Sequence, residues 1–198
     1  MTNTLSCPNS VKRALLPVIA WLAMALSGCN PASGKQLKDA EMNQLPATLW
    51  QTIDTLAKQI PFKRAKIERV FETKLFVGDP REFVIQPSFE SLEGGPVGLA
   101  DGVVVEMIDL RVGPEDSDPG FLVLRVAGTC INLDEVRARY GTLAITDHPR
   151  GRSLDEVTAF TSNEPWGKLS FGFAVRNPDC LSGVAFAPKG LKEVTSRF

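Results

Sequence analysis

The sequence predicts an α+β domain, a mostly antiparallel β-sheet packed against an N-terminal helix and a short middle helix. Three observations lead there. Apolar residues recur at the helix period only before Pro61 and again just after Asn132. Elsewhere the chain breaks into short apolar runs divided by Gly, Pro and Asp clusters, the texture of strands and turns. The connections between those runs are too short for parallel crossovers, so neighbouring strands should pair antiparallel, with the helices gathered on one face.

In chain order, Leu37, Met42, Leu45, Leu49, Ile53, Leu56 and Ile60 lie mostly three and four positions apart. Pro46 interrupts the run, since proline lacks an amide hydrogen and clashes with the preceding turn. A short first helix and a cleaner second one over residues 47–59, closed by Pro61, are expected. A helix lying on a membrane would carry Lys and Arg along its polar face. Only Lys58 stands there, so the helix is expected to pack on the domain. Residues 67–77 and 82–89 read as strands, the second weakened by Pro87, and the glycines at 94, 95 and 98 as a flexible loop. They lack the Lys-Ser/Thr ending of a phosphate loop.

Residues 103–112 and 121–126 flank a Gly/Pro/Asp cluster over 113–120 and read as an antiparallel pair. Asn132-Leu133-Asp134-Glu135 is a helix start, because the Asn side chain can accept the amide of Glu135 while the Glu side chain reaches back. Leu133, Val136 and Tyr140 share a face of that helix, and Gly141 suits its end. Further strands are expected over 143–145, 156–160, 169–175 and 181–186. In the third of these, Leu169, Phe171, Phe173 and Val175 alternate with Ser170, Gly172 and Ala174, one apolar face against one of small residues.

The chain opens differently. Lys12 and Arg13 precede an uncharged apolar run over 14–26. At about 13 residues this run reaches roughly 20 Å as a helix, short of a hydrocarbon core of about 30 Å. A basic start, a short apolar stretch and small residues after it have the layout of a secretory signal. Leu26-Ser27-Gly28-Cys29 resembles the lipobox of bacterial lipoprotein precursors. The resemblance covers residues 1–29 and implies cleavage before Cys29, with diacylglycerol on its thiol and an acyl chain on the new amine. Two or three chains together anchor stably where one does not. Asn30, rather than an Asp, after that Cys implies the periplasmic face of the outer membrane over the inner membrane. Residues 29–36 then form a lipidated tether of small and polar residues, and 37–198 a single periplasmic domain.

Removing 28 of the 198 residues leaves 170, enough for one domain with a sizeable core. Of the 22 basic residues Lys12 and Arg13 go, leaving 20 against 23 acidic and a net charge of -3. That is no footprint for nucleic acid, which calls for a basic excess on one face. Cys7 leaves with the signal and Cys29 carries lipid, so Cys130 and Cys180 remain as an even pair in an oxidising compartment, and a disulfide is expected. Closing a loop of about 50 residues contributes roughly 4 kcal/mol in the chain-entropy model. The alternative is a reactive or metal-binding pair. Metal sites usually place ligands a few residues apart, and neither Cys has a second Cys or His so close.

Candidate chemistry is sparse. His148, the one histidine, sits beside Asp147, which could orient it as a general base. Residues adjacent on a strand face opposite ways, however, and no Gly-x-Ser-x-Gly elbow supplies a nucleophile, so a turn histidine is the better reading. Arg150 and Arg152 make a positive spot in the same loop, suited to an acidic partner or simply solvated. Glu115, Asp116 and Asp118 cluster three carboxylates in one loop without the EF-hand spacing, so a solvated hairpin tip is expected over a Ca²⁺ site. Trp166, between Pro165 and Gly167, is either a plug at the core edge or an exposed binding anchor.

No cofactor, metal set or enzymatic activity is expected. The expected function is that of a lipid-anchored binding protein with a protein partner in the periplasm. An α+β lipoprotein domain with one disulfide resembles the immunity lipoproteins that bacteria keep there against effectors delivered by type VI or related secretion systems. The resemblance is architectural and carries over no residue. It implies that the acidic tip and the Trp166 turn are first candidates to plug an effector's cleft. The alternative is a housekeeping accessory subunit of an envelope assembly or transport machine.

Overall fold

The computed structural model describes residues 42–78, 89–115 and 117–191. The expected signal, the tether with Cys29, nearly all of the expected strand over 82–89, and Asp116 lie outside these. Ten strands and three helices fill the described residues, in an α+β arrangement with one large, mostly antiparallel sheet.

The centre of the sheet is the predicted hairpin, β5 (Val103–Val112) with β6 (Phe121–Gly128). Beyond β6 come β10 (Leu181–Pro188), β9 (Gly167–Ala174), β8 (Val157–Glu164) and the edge strand β7 (Ala144–Asp147), all antiparallel. On the other side, β3 (Glu90–Gly94) and β4 (Val97–Gly98) lie end to end along β5. The expected flexible loop is thus an interrupted strand. Gly95, at φ 104°, makes the break, and a Cβ there would stand 2.9 Å from the Glu106 carbonyl oxygen, so only glycine fits. β2 (Phe76–Val77) pairs with β3, and β1 (Asn43–Gln44) pairs with β4 in parallel. That is the one parallel pair among the described strands of an otherwise antiparallel sheet, in keeping with the expected mostly antiparallel order. Its two strands are joined by a long excursion through helices, the kind of crossover a parallel pair needs.

α1 (Leu49–Ala57) starts on a capping box in which Thr48 accepts the Gln51 amide and Gln51 reaches back. α2 (Arg64–Phe71) replaces the first part of the strand expected over 67–77. The reason is legible afterwards: Ile67, Val70 and Phe71 fall at helical spacing among strong helix formers, and Arg64 pairs with Glu68 one turn on at 3.1 Å. The short helix expected before Pro46 is likewise corrected among the described residues, where Asn43 and Gln44 pair with β4. Asn43 Nδ2 also donates to the Phe71 carbonyl at 3.0 Å, tying this strand to the end of α2. α3 (Leu133–Tyr140) carries the predicted capping box, with Glu135 N to Asn132 Oδ1 at 3.0 Å and Asn132 N to Glu135 Oε2 at 2.8 Å.

One core holds these parts together. Leu49, Ile53 and Leu56 of α1, Ile67 and Phe71 of α2 and Val136 of α3 join Ile108, Leu110, Leu122, Leu124, Phe171, Val184 and Phe186 of the sheet. Because side chains alternate along a strand, Phe121, Val123 and Ala185 fall on the opposite face, where they form a separate small cluster. Among the described residues, no helix contributes to that second cluster. Arg139 bridges α3 to α1, pairing with Asp54 at 2.5 Å and lying 5.7 Å over the Trp50 ring.

Behind α2, the Glu68 carboxylate gathers the following chain. It accepts the Leu75 amide at 3.0 Å, Arg64 Nε at 3.1 Å and Lys74 Nζ at 3.2 Å. The Leu75 amide, then Arg64, hold its pKa at about 2, against an ordinary 4.5.

Candidate binding surfaces

The strand directions sort the predicted site residues into two opposite ends of the sheet. The β5–β6 and β8–β9 hairpins close at one end, bringing the acidic loop and the Trp166 turn to the same side. The β7–β8 connection, with His148, Arg150 and Arg152, lies at the other, where the disulfide also sits. The five described residues singled out by sequence, Glu115, Asp118, Arg150, Arg152 and Trp166, therefore do not converge on one patch.

At the first end, Trp166 is half-buried, stacked on Phe186 with ring centroids 5.8 Å apart and packed on the main core. Its carbonyl accepts the Lys189 amide at 2.9 Å. This is the plug geometry. The acidic loop is organised by its own backbone: Asp118 Oδ2 accepts the Glu115 amide at 3.3 Å, the Asp118 amide donates to the Glu115 carbonyl at 3.0 Å, and Ser117 Oγ donates to Glu115 Oε2 at 3.3 Å. The Asp118 carboxylate folds over Gly113, where a Cβ would lie 1.9 Å from Oδ2. The Pro119 carbonyl then accepts the Phe62 amide at 2.7 Å, fastening the loop to the connection between α1 and α2. No group of three or more His, Cys, Asp or Glu among the described residues is arranged to hold a metal ion.

At the second end, Glu156 builds the loop. One carboxylate oxygen accepts the amides of Arg150 at 2.6 Å, Gly151 at 2.8 Å and Arg152 at 3.3 Å. Burial pushes this carboxyl up, but the three amides together with the charge of Arg152 outweigh that and leave its pKa lowered. The Asp147 carboxylate accepts the backbone amide of His148 at 2.9 Å and stands 4.0 Å from the Arg150 guanidinium. Asp147 thus meets the histidine's main chain, and His148 is an exposed loop residue.

Cys130 and Cys180 form the expected disulfide, Cα to Cα 5.0 Å. It joins the end of β6 to the start of β10, beside the Leu181 amide donating to the Ile131 carbonyl at 2.8 Å. From this bridge a groove of 680 Å³ runs over the ends of β6, β10, β9 and β8. Arg125, Glu106, Val157, Ala174 and the Asp155–Arg176 ion pair line it. Arg125 lies between Leu124 and Val126 on β6, so it faces away from the main core, and it is exposed. Sequence reasoning passed over it, though an arginine inside an otherwise apolar strand run was the available signal. Farther up the same face, Thr146, Thr161 and Ser170 link three strands by hydroxyl contacts of 2.7 Å each, and Asp109 and Arg111 form a buried pair at 2.7 Å.

Comparison of the chain with protein-family models, with curated proteins and with solved structures finds no match. Among the described residues, no helix is long and apolar enough to cross a membrane.

Proposed function

We propose that the mature chain is a lipid-anchored, periplasm-facing binding protein, and within that class an immunity protein that inhibits a secreted antibacterial effector. Anchoring through Cys29 rests on the Leu26-Ser27-Gly28-Cys29 motif, and Asn30 favours the outer membrane. The binding reading is carried by one observation, the groove beside the Cys130–Cys180 bridge. A volume of 680 Å³ lies within the range of about 300–1,000 Å³ typical of ligand sites. Its walls belong to strands of a sheet whose other face is packed on the main core with α1, α2 and α3. A site built on strands holds its geometry better than one built on loops. The tip residues Glu115 and Asp118 and the Trp166 turn stand at the far end of the sheet, where the tryptophan packs on the core.

Two measurements test this reading. The mass of the purified mature protein, with and without reductant, should give an N-terminal acylated Cys29 and a reducible bridge. Deleting the gene should make cells sensitive to sister cells that deliver the cognate effector. Unchanged sensitivity would remove the immunity role and leave a housekeeping envelope subunit as the reading to pursue.

A further inference from the structure

We propose that the domain rests on the bilayer by the sheet edge where the tether enters it, with Phe76 and Val77 dipping into the headgroup layer; this rests on the lipid-anchor reading above. Six large apolar side chains of the described residues are exposed, and they fall into two groups. Ile145 lies on the edge strand β7, with Leu154 and Val175 beside β8 and β9. Met42, Phe76 and Val77 belong to the opposite edge, seven strand steps away in the sheet order. At about 4.8 Å per step that is roughly 34 Å along the sheet. The register gathers the second group. Phe76 stands opposite Glu93 on β3 and Asn43 opposite Val97 on β4, and β3 and β4 run end to end, so β2 and β1 make one continuous edge. Asn43 Nδ2 donates to the carbonyls of Phe71 at 3.0 Å and Glu72 at 3.2 Å, which fixes the entry of the tether beside the turn that leads into β2.

Phe76 is 69 % exposed and Val77 68 %. Consecutive side chains of a strand point to opposite faces, so exposure of both marks an edge open on either side. An exposed apolar pair of this kind marks a protein or membrane contact, and the tether decides for the membrane. From Cys29 to Met42 the chain has 14 residues, which reach at most roughly 45 Å. Lipid on Cys29 therefore holds this edge close to the bilayer at high local concentration, and a small apolar patch suffices to complete the contact. Charge is not the driving force. Around the edge, Arg64, Lys66, Arg69 and Lys74 stand against Glu68, Glu72, Glu90 and Glu93, and Glu68 takes both Arg64 and Lys74. The edge is thus near neutral among the described residues, and an anionic leaflet neither repels it nor draws it strongly. Standing on this edge, the domain turns β7 and the loop of Arg150 and Arg152 away from the membrane, toward the periplasm.

Fluorescence of the full mature lipoprotein in vesicles of phosphatidylethanolamine and phosphatidylglycerol with brominated acyl chains tests the contact. Phe76→Trp should add emission that the bromines quench, whereas Ile145→Trp, on the opposite edge, should add emission that they leave intact. The wild type gives the background from Trp50 and Trp166. Quenching should persist when salt is raised, and adding Val77→Asp to Phe76→Trp should abolish most of it. All three positions are exposed, so melting temperatures should stay unchanged. Unquenched emission at position 76, or equal quenching at 76 and 145, would overturn the proposal. Unquenched emission together with a dimer in detergent that Val77→Asp dissolves would overturn it in favour of two copies pairing along β2. Acylated Cys29 without quenching leaves the anchor standing and removes this contact. A mature chain without acyl groups on Cys29 removes the anchor and the contact together.

Discussion

The two faces of the sheet are made by the same strands and differ in almost every property. On β9, Leu169, Phe171 and Phe173 enter the main core, while Lys168, Ser170 and Gly172 occupy the alternate positions. On β6, Leu122 and Leu124 enter it, while Val123 and Arg125 do not. The helix-facing side is large, branched or aromatic. Phe171 alone meets Tyr140 at 4.9 Å and Trp50 at 6.5 Å between centroids. The other side carries small residues, a hydroxyl ladder and charges, several of them individually satisfied. Stability therefore concentrates on one face, which leaves the other freer to vary in chemistry without unfolding the domain.

That division can be broken by substitution. Phe171→Ala, at a fully buried position, should cost about 3–5 kcal/mol in denaturant unfolding. An equivalent truncation of exposed Arg125 on the opposite face should stay within about 0.5 kcal/mol. Equal losses at the two positions would end the comparison. Replacing Cys130 and Cys180 together by Ser should cost at most about 4 kcal/mol, the closure entropy of a loop spanning 50 residues.

Smaller changes sharpen the picture of the helical cover. Asn132→Ala removes the side-chain partner of the Glu135 amide and should lower stability by about 1 kcal/mol, measured by thermal or denaturant unfolding. Glu68 gives a pH signature. Its folded pKa of about 2 lies below the ordinary 4.5, so the folded state favours the charged form. The stabilisation is present in full above about pH 4.5 and is lost as pH falls toward 2. Glu68→Gln should flatten that part of the acid limb of stability, read from melting temperatures across this window, and leave the neutral range with a constant offset.

Some elements were plain in the sequence because their causes are local. The Asn132–Glu135 box needs only residues three apart, and both of its hydrogen bonds are present. The β5–β6 hairpin follows from two apolar runs around a turn cluster. The helix of residues 64–71 was hidden, since a β-rich reading of Ile67, Val70 and Phe71 and a helical one compete in so short a window, and helix formers with the Arg64–Glu68 pair decided it. Of the candidate site, Arg150 and Arg152 were visible as a charged turn, but the carboxylate that shapes their loop, Glu156, was not. Nothing local ties it to three amides upstream.

What the sequence determined by itself is the alternation that makes one strand face apolar, the caps and turns, and the expectation that Cys130 and Cys180 pair. These depend on side-chain chemistry within a few residues, or on counting. Only the tertiary structure decided that Asn43 and Gln44 pair in parallel with β4, that Trp166 rests on Phe186, and that the predicted binding residues stand at opposite ends. It also decided which charges are answered, as the Glu156 carboxylate is by three backbone amides and Asp155 by Arg176. Strand order and ion-pair partners join residues dozens of positions apart, and no local pattern encodes which distant segment arrives beside which.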